Sequence, residues 1–396
     1  MQNRKSVILF AIFFIVYEFN TYIANDMIMP GMIHVVNEFH SSLDNIAKSL
    51  SLFIIGGSSL QIILGPMCDK YGKRNILLFG NILFVITTIL ITLVSSIDEF
   101  LFARFLQGFG LCFIFIGYAM IHELFDDKTA VKLCSLIANI SVFAPLIGPV
   151  IGSAIIINHN WRYVFIVTAV LAVISFFGLF KNMPNNKPTQ NTTSIKEIIS
   201  TYKTIFTTKT LIIGGLIISI SALPMIGWIG LAPVLVMKTM GKGFAEYVIY
   251  QTIVFGGFIL SSVGIQFMAG RFSFYTLITR GVILTGVGLL VSLVGHAYVE
   301  LFIGGLFIAS LGVGIFNGSI FRIAITSTGV SNSMSAASLN IIQSLSMALG
   351  LELINYLSSL WNFSILSFCA LNMIAGIITI ILCFKFAKQI RSREWQ

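Results

Sequence analysis

Two acidic residues lie inside the first apolar stretch of the sequence, where charged side chains are rare. Glu18 and Asp26 belong to the segment from Tyr17 to Met27, within an apolar run that begins near Val7. A charge at the centre of a bilayer costs about 2.5 to 3.5 kcal/mol, so a charge in such a run usually serves a function and faces a protein interior. A carboxyl group in apolar surroundings favours its neutral form and can exchange protons near neutral pH. A nearby substrate cation would favour the ionised form and expel the proton, which is the chemistry of antiport.

The spacing of the two acids places them at different depths of one helix. Eight residues correspond to about 12 Å along a helix axis and roughly 80° around it. Glu18 and Asp26 are therefore expected to line one cavity without sharing a proton. Position alone also allows Asp26 to be a residue of the membrane–water interface, because Pro30 and Gly31 follow it.

A third charge, Arg104, lies in the apolar segment from Leu101 to Gly110. Its side chain can extend along apolar surface to the outer interface. The alternative is a buried guanidinium that bonds to the first helix and senses the charge on Asp26. The neighbouring Gln107 can line a cavity, and a hydrogen bond between helices explains it as well.

The composition predicts an all-α integral membrane protein. Of the 396 residues, 57% are hydrophobic and 10% are charged, whereas soluble domains carry about 25% charged residues. Runs of roughly 20 apolar residues, long enough to span a bilayer, follow one another along the chain. They predict twelve transmembrane helices, at 7–33, 44–67, 75–96, 99–122, 132–157, 162–181, 209–237, 246–270, 276–297, 299–322, 332–358 and 363–386.

The longest polar break divides the predicted helices into two groups of six. Residues 182–208 are expected to be a cytoplasmic linker between an N-terminal half, 1–181, and a C-terminal half, 209–396. Most of the 24 Lys and Arg residues fall on the side that holds both termini, which predicts cytoplasmic termini by the positive-inside rule. The net charge of +9 is therefore interpreted as a determinant of topology, with no nucleic-acid partner.

The sequence gives no indication of an enzyme. It contains no Walker loop, no dinucleotide-binding fingerprint, no metal-ligand spacing and no convincing nucleophile constellation. We therefore expect no cofactor and no bound metal, with the proton gradient as the energy source. The expected partners are small lipophilic drugs, protons and the lipid bilayer, and the expected state is a monomer.

Two motifs resemble the major facilitator superfamily. The loop Gly65 to Arg74 reads GPMCDKYGKR and is similar to the family's GxLxDxxGRR loop, with departures at Cys68 and Lys73. Gly65 is expected to let helices approach each other closely. In the family this loop latches the two halves, which implies conformational roles for four residues: Gly65, Asp69, Gly72 and Arg74.

The second resemblance is to the drug/proton antiporters of that superfamily. Arg104 and Gly108 match an RxxxG pattern that the family associates with proton coupling. The segment Ala144 to Gly152 reads APLIGPVIG and resembles the antiporter motif of the fifth helix, found in exporters. Its flattened, proline-kinked face of small residues is expected to pack closely on the other half of the protein and to seal one route. The motif residues are Pro145, Gly148, Pro149 and Gly152.

The runs from Tyr17 to Met32 and from Leu106 to Ala119 are also similar to these antiporters. The resemblance implies a protonatable pair, Glu18 and Asp26, with Arg104 as the coupling residue. It implies alternating access around a midplane cavity in a bacterial inner membrane and export of lipophilic cationic and neutral drugs. The implied substrate-binding residues are Tyr22, Asn25, Asp26, Gln107, Tyr118, Ser141, Met225, Ile226 and Ile229.

Other functions remain open at this point. One is the export of a single endogenous compound, such as a metabolite or siderophore. Another is the exchange of monovalent cations for protons. A signalling membrane protein without flux is a third, although the short loops offer no soluble domain for that role.

Overall fold

The chain folds into two compact units of helices. The computed structural model describes residues 4–185, 195–268, 271–330 and 332–391, and the regular structure among them is helical. The units comprise Met1–Ile195 and Lys196–Gln396. This division falls within residues 182–208, the range that the sequence predicts as the linker.

The first unit is built around one long interrupted helix and its neighbours. α1 is followed by a short 3-10 turn, Met29–Gly31, and then by α2. The helices are α1 (Arg4–Ile28), α2 (Met32–Glu38), α3 (Asp44–Ser59), α4 (Gln61–Tyr71), α5 (Lys73–Leu93), α6 (Ile97–Cys112), α7 (Ile114–Leu124), α8 (Asp127–Asn158) and α9 (Arg162–Asn182).

The second unit begins with an amphipathic helix, α10, of which only the first residue, Ile195, belongs to the first unit. α11 continues into a π-helical segment, Pro233–Thr239. The helices are α10 (Ile195–Thr207), α11 (Lys209–Ala232), α12 (Phe244–Met268), α13 (Phe274–Val294), α14 (Val299–Thr326), α15 (Asn332–Leu360) and α16 (Ile365–Arg391).

Most of these helices are long and apolar enough to cross a membrane. Within the described residues, ten stretches meet that requirement, and eleven do if α3 and α4, which are bent by 41° relative to each other, form one span. α8 contributes a shorter apolar part, Phe143–Asn158. The predicted all-α membrane architecture is confirmed, whereas the count of twelve spans stays a prediction.

The helices turn apolar side chains outward, as a lipid environment requires. On α5, Ile86, Ile89 and Leu90 are exposed while Phe84 and Thr88 are buried. Exposed apolar side chains in such density would be unfavourable in water. A helix satisfies most of its backbone hydrogen bonds internally, which is the condition for crossing hydrocarbon.

The interruption of the first helix occurs directly after Asp26. Pro30 lacks an N–H group, so it removes a hydrogen bond from the helix, and the chain passes through the 3-10 turn before α2 begins. Asp26 is 5% exposed and Pro30 is buried as well. Asp26 is therefore buried among protein atoms, whereas its depth in the membrane stays a prediction.

A polar clamp fixes the end of α2. Glu38 accepts hydrogen bonds from Arg162 Nη1 at 2.5 Å and from Trp161 Nε1 at 2.7 Å. Arg162 also donates to the carbonyl oxygens of Thr92 and Val94, at 3.2 and 3.0 Å. The end of α2 is thus tied to the end of α5 and the start of α9.

We expect Arg162→Ala to destabilise the first unit by about 2 kcal/mol, because several partly exposed hydrogen bonds to a charged group are lost together. The measurement is thermal unfolding of the purified protein in detergent. Arg322→Ala, which removes an exposed arginine of α14, is the control and should change the unfolding temperature little. Equal unfolding temperatures for the two variants would show that the clamp does not stabilise the unit.

Candidate functional site

The first acid, Glu18, is held by a tyrosine from another helix. Glu18 on α1 is 1% exposed, and its Oε1 accepts a hydrogen bond from Tyr118 Oη of α7 at 2.9 Å. The second oxygen, Oε2, is buried and has no hydrogen-bond partner among the residues that the structure describes. The ring of Phe14 packs edge-on against Tyr118, with centroids 5.7 Å apart. The site therefore offers one satisfied carboxyl oxygen and one that is available to a proton or a ligand donor.

Arg104 lies at the centre of a buried hydrogen-bond network. Its side chain is fully buried. Nε donates to Ser49 Oγ at 3.1 Å, Nη1 donates to Gln107 Oε1 at 2.5 Å, and Nη2 donates to Asn25 Oδ1 at 2.5 Å. The guanidinium also lies 4.6 Å from the centroid of the Phe53 ring. The alternative that Arg104 extends along an apolar surface to the interface is wrong, because its side chain is fully buried and donates three hydrogen bonds inside the first unit.

Asn25 connects Arg104 to the second acid. Asn25 Nδ2 lies 3.3 Å from Asp26 Oδ1, to which it donates, while Asn25 Oδ1 accepts from Arg104. In the described part of the chain, Arg104 and Asp26 form no ion pair within 4 Å. If Asp26 binds a proton, its O–H becomes a donor that can compete with Arg104 for acceptors. A proton on Asp26 can therefore rearrange this network without breaking a direct salt bridge.

The glycines of α8 pack directly on the backbone around Asp26. A Cβ atom added to Gly148 would lie 2.6 Å from Asp26 Cβ, and one added to Gly152 would lie 1.9 Å from the carbonyl oxygen of Met27. Glycine is the residue that allows two backbones to approach this closely. The Ala144–Gly152 segment thus packs closely on the part of α1 that carries Asp26, within the first unit. The expected packing of this segment on the other half stays a prediction.

A similar contact explains Gly108 in the RxxxG pattern. A Cβ at Gly108 would lie 2.2 Å from the carbonyl oxygen of Phe53, so α6 and α3 touch through their backbones. This contact brings α3 close enough for Ser49 to reach Arg104. Gln107, one residue before Gly108, also donates from Nε2 to Thr88 Oγ1 at 2.9 Å, which anchors the network to α5.

The loop between α4 and α5 differs in part from expectation. Gly72 has φ 85°, a backbone conformation that favours glycine. Arg74 Nη2 donates to the carbonyl oxygen of Phe180 at 2.5 Å, and Lys73 pairs with Glu123. The close helix approach expected at Gly65 is not found, because an added Cβ would meet no atom within 4 Å there.

The remaining predicted residues lie in several places. Tyr22 on α1 is half-buried beside the core that contains Phe14. Met225, Ile226 and Ile229 lie on α11 in the second unit, whereas the hydrogen-bond network belongs to the first. Ser141 lies on α8, and its side chain is outside the described ones.

Sequence reasoning missed the partners that make the arginine network possible. Ser49 and Thr88 are small polar residues in apolar helices, a common pattern that by itself indicates no function. Ser49 and Phe53 lie four residues apart and Gly56 follows, so they share one face of α3. The only sequence signal for Ser49 was this face of α3, which presents a small polar residue, an aromatic ring and a glycine to a neighbouring helix.

Comparisons with known proteins give the geometry a context. Residues 12–351 match the profile of the family described as Major Facilitator Superfamily. The Multidrug transporter MdfA of Yersinia pestis bv. Antiqua (strain Angola) is 33% identical over 392 residues, which cover 97% of this chain and 95% of that protein. The protein of the same name from Escherichia coli O6:H1 is 33% identical, with 98% of each chain covered.

Solved structures show the same fold at low sequence identity. The chain resembles a bacterial homologue of the human lysosomal transporter Spinster, with a TM-score of 0.78, 13% identity, and coverage of 100% of this chain and 99% of that one. It also resembles a D-xylose–proton symporter, with a TM-score of 0.73, 15% identity, and coverage of 93% and 97%. At these identities the likeness concerns the fold alone.

The packing at Gly152 yields a stability prediction. Gly152→Ala gains helix propensity of about 1 kcal/mol, but its Cβ would overlap the Met27 carbonyl oxygen, and overpacking of this kind typically costs about 1 to 3 kcal/mol. We expect net destabilisation in thermal unfolding. The control, Gly256→Ala on α12, adds a Cβ where no atom lies within 4 Å and should be neutral or stabilising. If both variants unfold at the wild-type temperature, the backbone contact at Asp26 is not as tight as described.

Proposed function

The chain belongs to the major facilitator superfamily, and we propose that this membrane transporter exports lipophilic drugs, cationic and neutral, in exchange for protons. The observation that carries the proposal is the pair of buried carboxyl groups on α1. Glu18 keeps one oxygen without a described partner, and Asp26 is joined through Asn25 to the buried Arg104. The match to relatives named multidrug transporters covers 95% or more of their length, and this favours drugs as substrates.

In the proposed cycle, substrate and protons compete for the same carboxyl groups. A cationic substrate that approaches Glu18 stabilises its ionised form, and the proton that Glu18 carried leaves to water. On the opposite side, protons that bind Glu18 and Asp26 remove the negative charge that held the substrate. The protonated carrier then resets by alternating access.

Arg104 is the proposed coupling residue in this cycle. Its guanidinium cannot lose its charge readily and cannot move to water, because three side chains bind it inside the unit. A change in the charge of Asp26 therefore changes how well Arg104 is compensated. We propose that this change shifts α1 against α8, since Gly148 and Gly152 hold the backbone around Asp26.

The substrate contacts and the topology complete the proposal. We propose that Tyr22, Tyr118 and the apolar residues Met225, Ile226 and Ile229 contact the aromatic and apolar parts of drugs. The protein would act as a monomer in a bacterial inner membrane with both termini in the cytoplasm. An inside-negative potential contributes about 2.3 kcal/mol per charge per 100 mV to any cycle that carries net positive charge into the cell, as when more protons enter than cationic charges leave.

The test of the proposed function is proton release from the detergent-purified protein. Tetraphenylphosphonium serves as a lipophilic cation and triphenylphosphine oxide as a neutral probe of similar shape. We expect the wild type to release protons when tetraphenylphosphonium is added, and the isosteric double variant Glu18→Gln/Asp26→Asn to release none. The matched control Asp98→Asn/Glu300→Gln removes two exposed acids and should release protons as the wild type does. Normal release from the first double variant would refute the assignment of the proton site.

A second prediction concerns Arg104. In Arg104→Lys a single ammonium cannot reach Ser49, Gln107 and Asn25 with the geometry of the guanidinium, and each hydrogen bond lost from a charged group is worth about 1.5 to 3 kcal/mol. We expect proton-driven transport in vesicles to fall at least roughly tenfold. Arg322→Lys, with the same exchange at an exposed position, should transport normally. Full transport by Arg104→Lys would show that charge alone suffices at this position.

A further inference from the structure

The first unit contains a cavity at the end of α1 where the chain begins. Its volume is about 710 Å³, and it lies between α1, the end of α7 and the start of α8. Ile8, Ile12 and Ile15 form one wall, and Leu133 and Leu136 form the wall opposite. Pockets for drug-sized molecules typically have volumes of about 300 to 1,000 Å³. The cavity therefore has a volume suited to a drug-sized molecule.

The cavity and the glycine contacts lie at opposite ends of α1. Near Asp26 the two helices are in backbone contact through Gly148 and Gly152, and Gly31 packs against Ile156 beyond that point. Towards the beginning of α1, bulky residues of both helices line the cavity. The tight end and the open end belong to the same helix pair.

The α1 wall of the cavity leads to the proton site. Ile8, Ile12 and Ile15 follow one another at spacings of four and three residues, and Glu18 comes three residues after Ile15. Residues at these spacings lie on one face of a helix. Tyr22 and Asp26 continue the same face. A molecule that moves along this wall away from the chain's beginning therefore meets Glu18 next.

One charged group lines the mouth of the cavity. Among the described lining residues, Asp126 alone carries a charge. It is exposed and caps α8 by accepting a hydrogen bond from the backbone N–H of Thr129 at 3.0 Å. Hydrogen bonds from Thr129 hold the pKa of the Asp126 carboxyl below its ordinary value, so the group is ionised at neutral pH. Lys128 and Lys132, both exposed on α8, are not among the lining residues.

We infer that this cavity is an access site for amphiphilic organic cations, which rest their apolar part on the isoleucine and leucine walls and their charge near Asp126 before they reach Glu18. The apolar walls fit a lipophilic body, and the rim carboxylate fits a positive charge. The inference rests on the proposed function, because it names the site where a substrate of that transporter first binds. The site is separate from the proton pair, and neither Glu18 nor Asp26 lines it.

The first arm of the test fills the cavity. Ile12→Trp places a larger side chain on the α1 wall, and Ile89→Trp makes the same exchange at a similarly exposed position of α5 outside the cavity; the two isoleucines are 47% and 43% exposed. Transport of tetraphenylphosphonium is measured in inside-out vesicles. We expect Ile12→Trp to raise KM about tenfold with kcat within a factor of two, and Ile89→Trp to leave both unchanged.

The second arm removes the charge at the mouth. Asp126→Asn keeps a good helix-capping residue, so the fold is retained. We expect its KM for tetraphenylphosphonium to rise severalfold, whereas its KM for triphenylphosphine oxide stays that of the wild type. Asp98→Asn, at another exposed acid in the first turn of a helix, is the control and should change neither value.

The outcomes separate this inference from the proposed function. Wild-type KM values in both Ile12→Trp and Asp126→Asn would overturn the access site and leave proton-coupled export intact. An equal rise of KM for both probes in Asp126→Asn would overturn the role of its charge. A loss of kcat in Ile12→Trp that is restored by adding phosphatidylethanolamine would identify the cavity as a lipid site. Absence of tetraphenylphosphonium transport and proton release in the wild type would refute the proposed function itself.

Discussion

The burial of the Arg104 guanidinium is the constraint on which the rest of the first unit depends. A positive charge away from water must be bonded through most of its donors, because an unpaired buried charge costs several kcal/mol. The partners of Arg104 come from three helices, through Ser49 on α3, Gln107 on α6 and Asn25 on α1. Each of these helices must therefore hold a fixed rotation and height relative to the arginine. The glycine contact at Gly108 is part of the same requirement, since it brings α3 within reach.

Asp26 connects this fixed network to a helix pair with two different ends. On one side, Asn25 links Asp26 to Arg104; on the other, Gly148 presses against Asp26 itself. The contact through glycines brings the two backbones close together, while the other end of the same helix pair borders the cavity. In the proposed cycle, a change of charge at Asp26 therefore acts where the two backbones touch. It can alter the separation of α1 and α8 at the end that borders the cavity. This arrangement gives a physical route by which protonation can change access to Glu18.

Several residues of the site were predictable from the sequence because their type is unusual in an apolar helix. Glu18, Asp26 and Arg104 are charges in apolar runs, and that contrast needs no structure to be seen. Gly148 and Gly152 repeat at a helical spacing beside prolines, which predicts a close helix contact. The same reasoning failed at Gly65, because spacing cannot tell whether a glycine faces a neighbour or open space. The prediction of twelve spans is not settled at α8, whose first part carries lysines and polar residues before the apolar stretch begins.

The sequence by itself determined the class of the protein and the residues that are costly to bury. A bilayer demands long apolar segments with internally satisfied backbones, so composition and run length suffice to predict a helical membrane protein. The tertiary structure alone decided which donor meets which acceptor. Tyr118 binds Glu18 from 100 residues away, and Arg104 binds Asn25 from 79 residues away. A hydrogen bond forms only within about 3 Å and at a suitable angle, so it depends on the rotation and register of packed helices, which local sequence patterns do not encode.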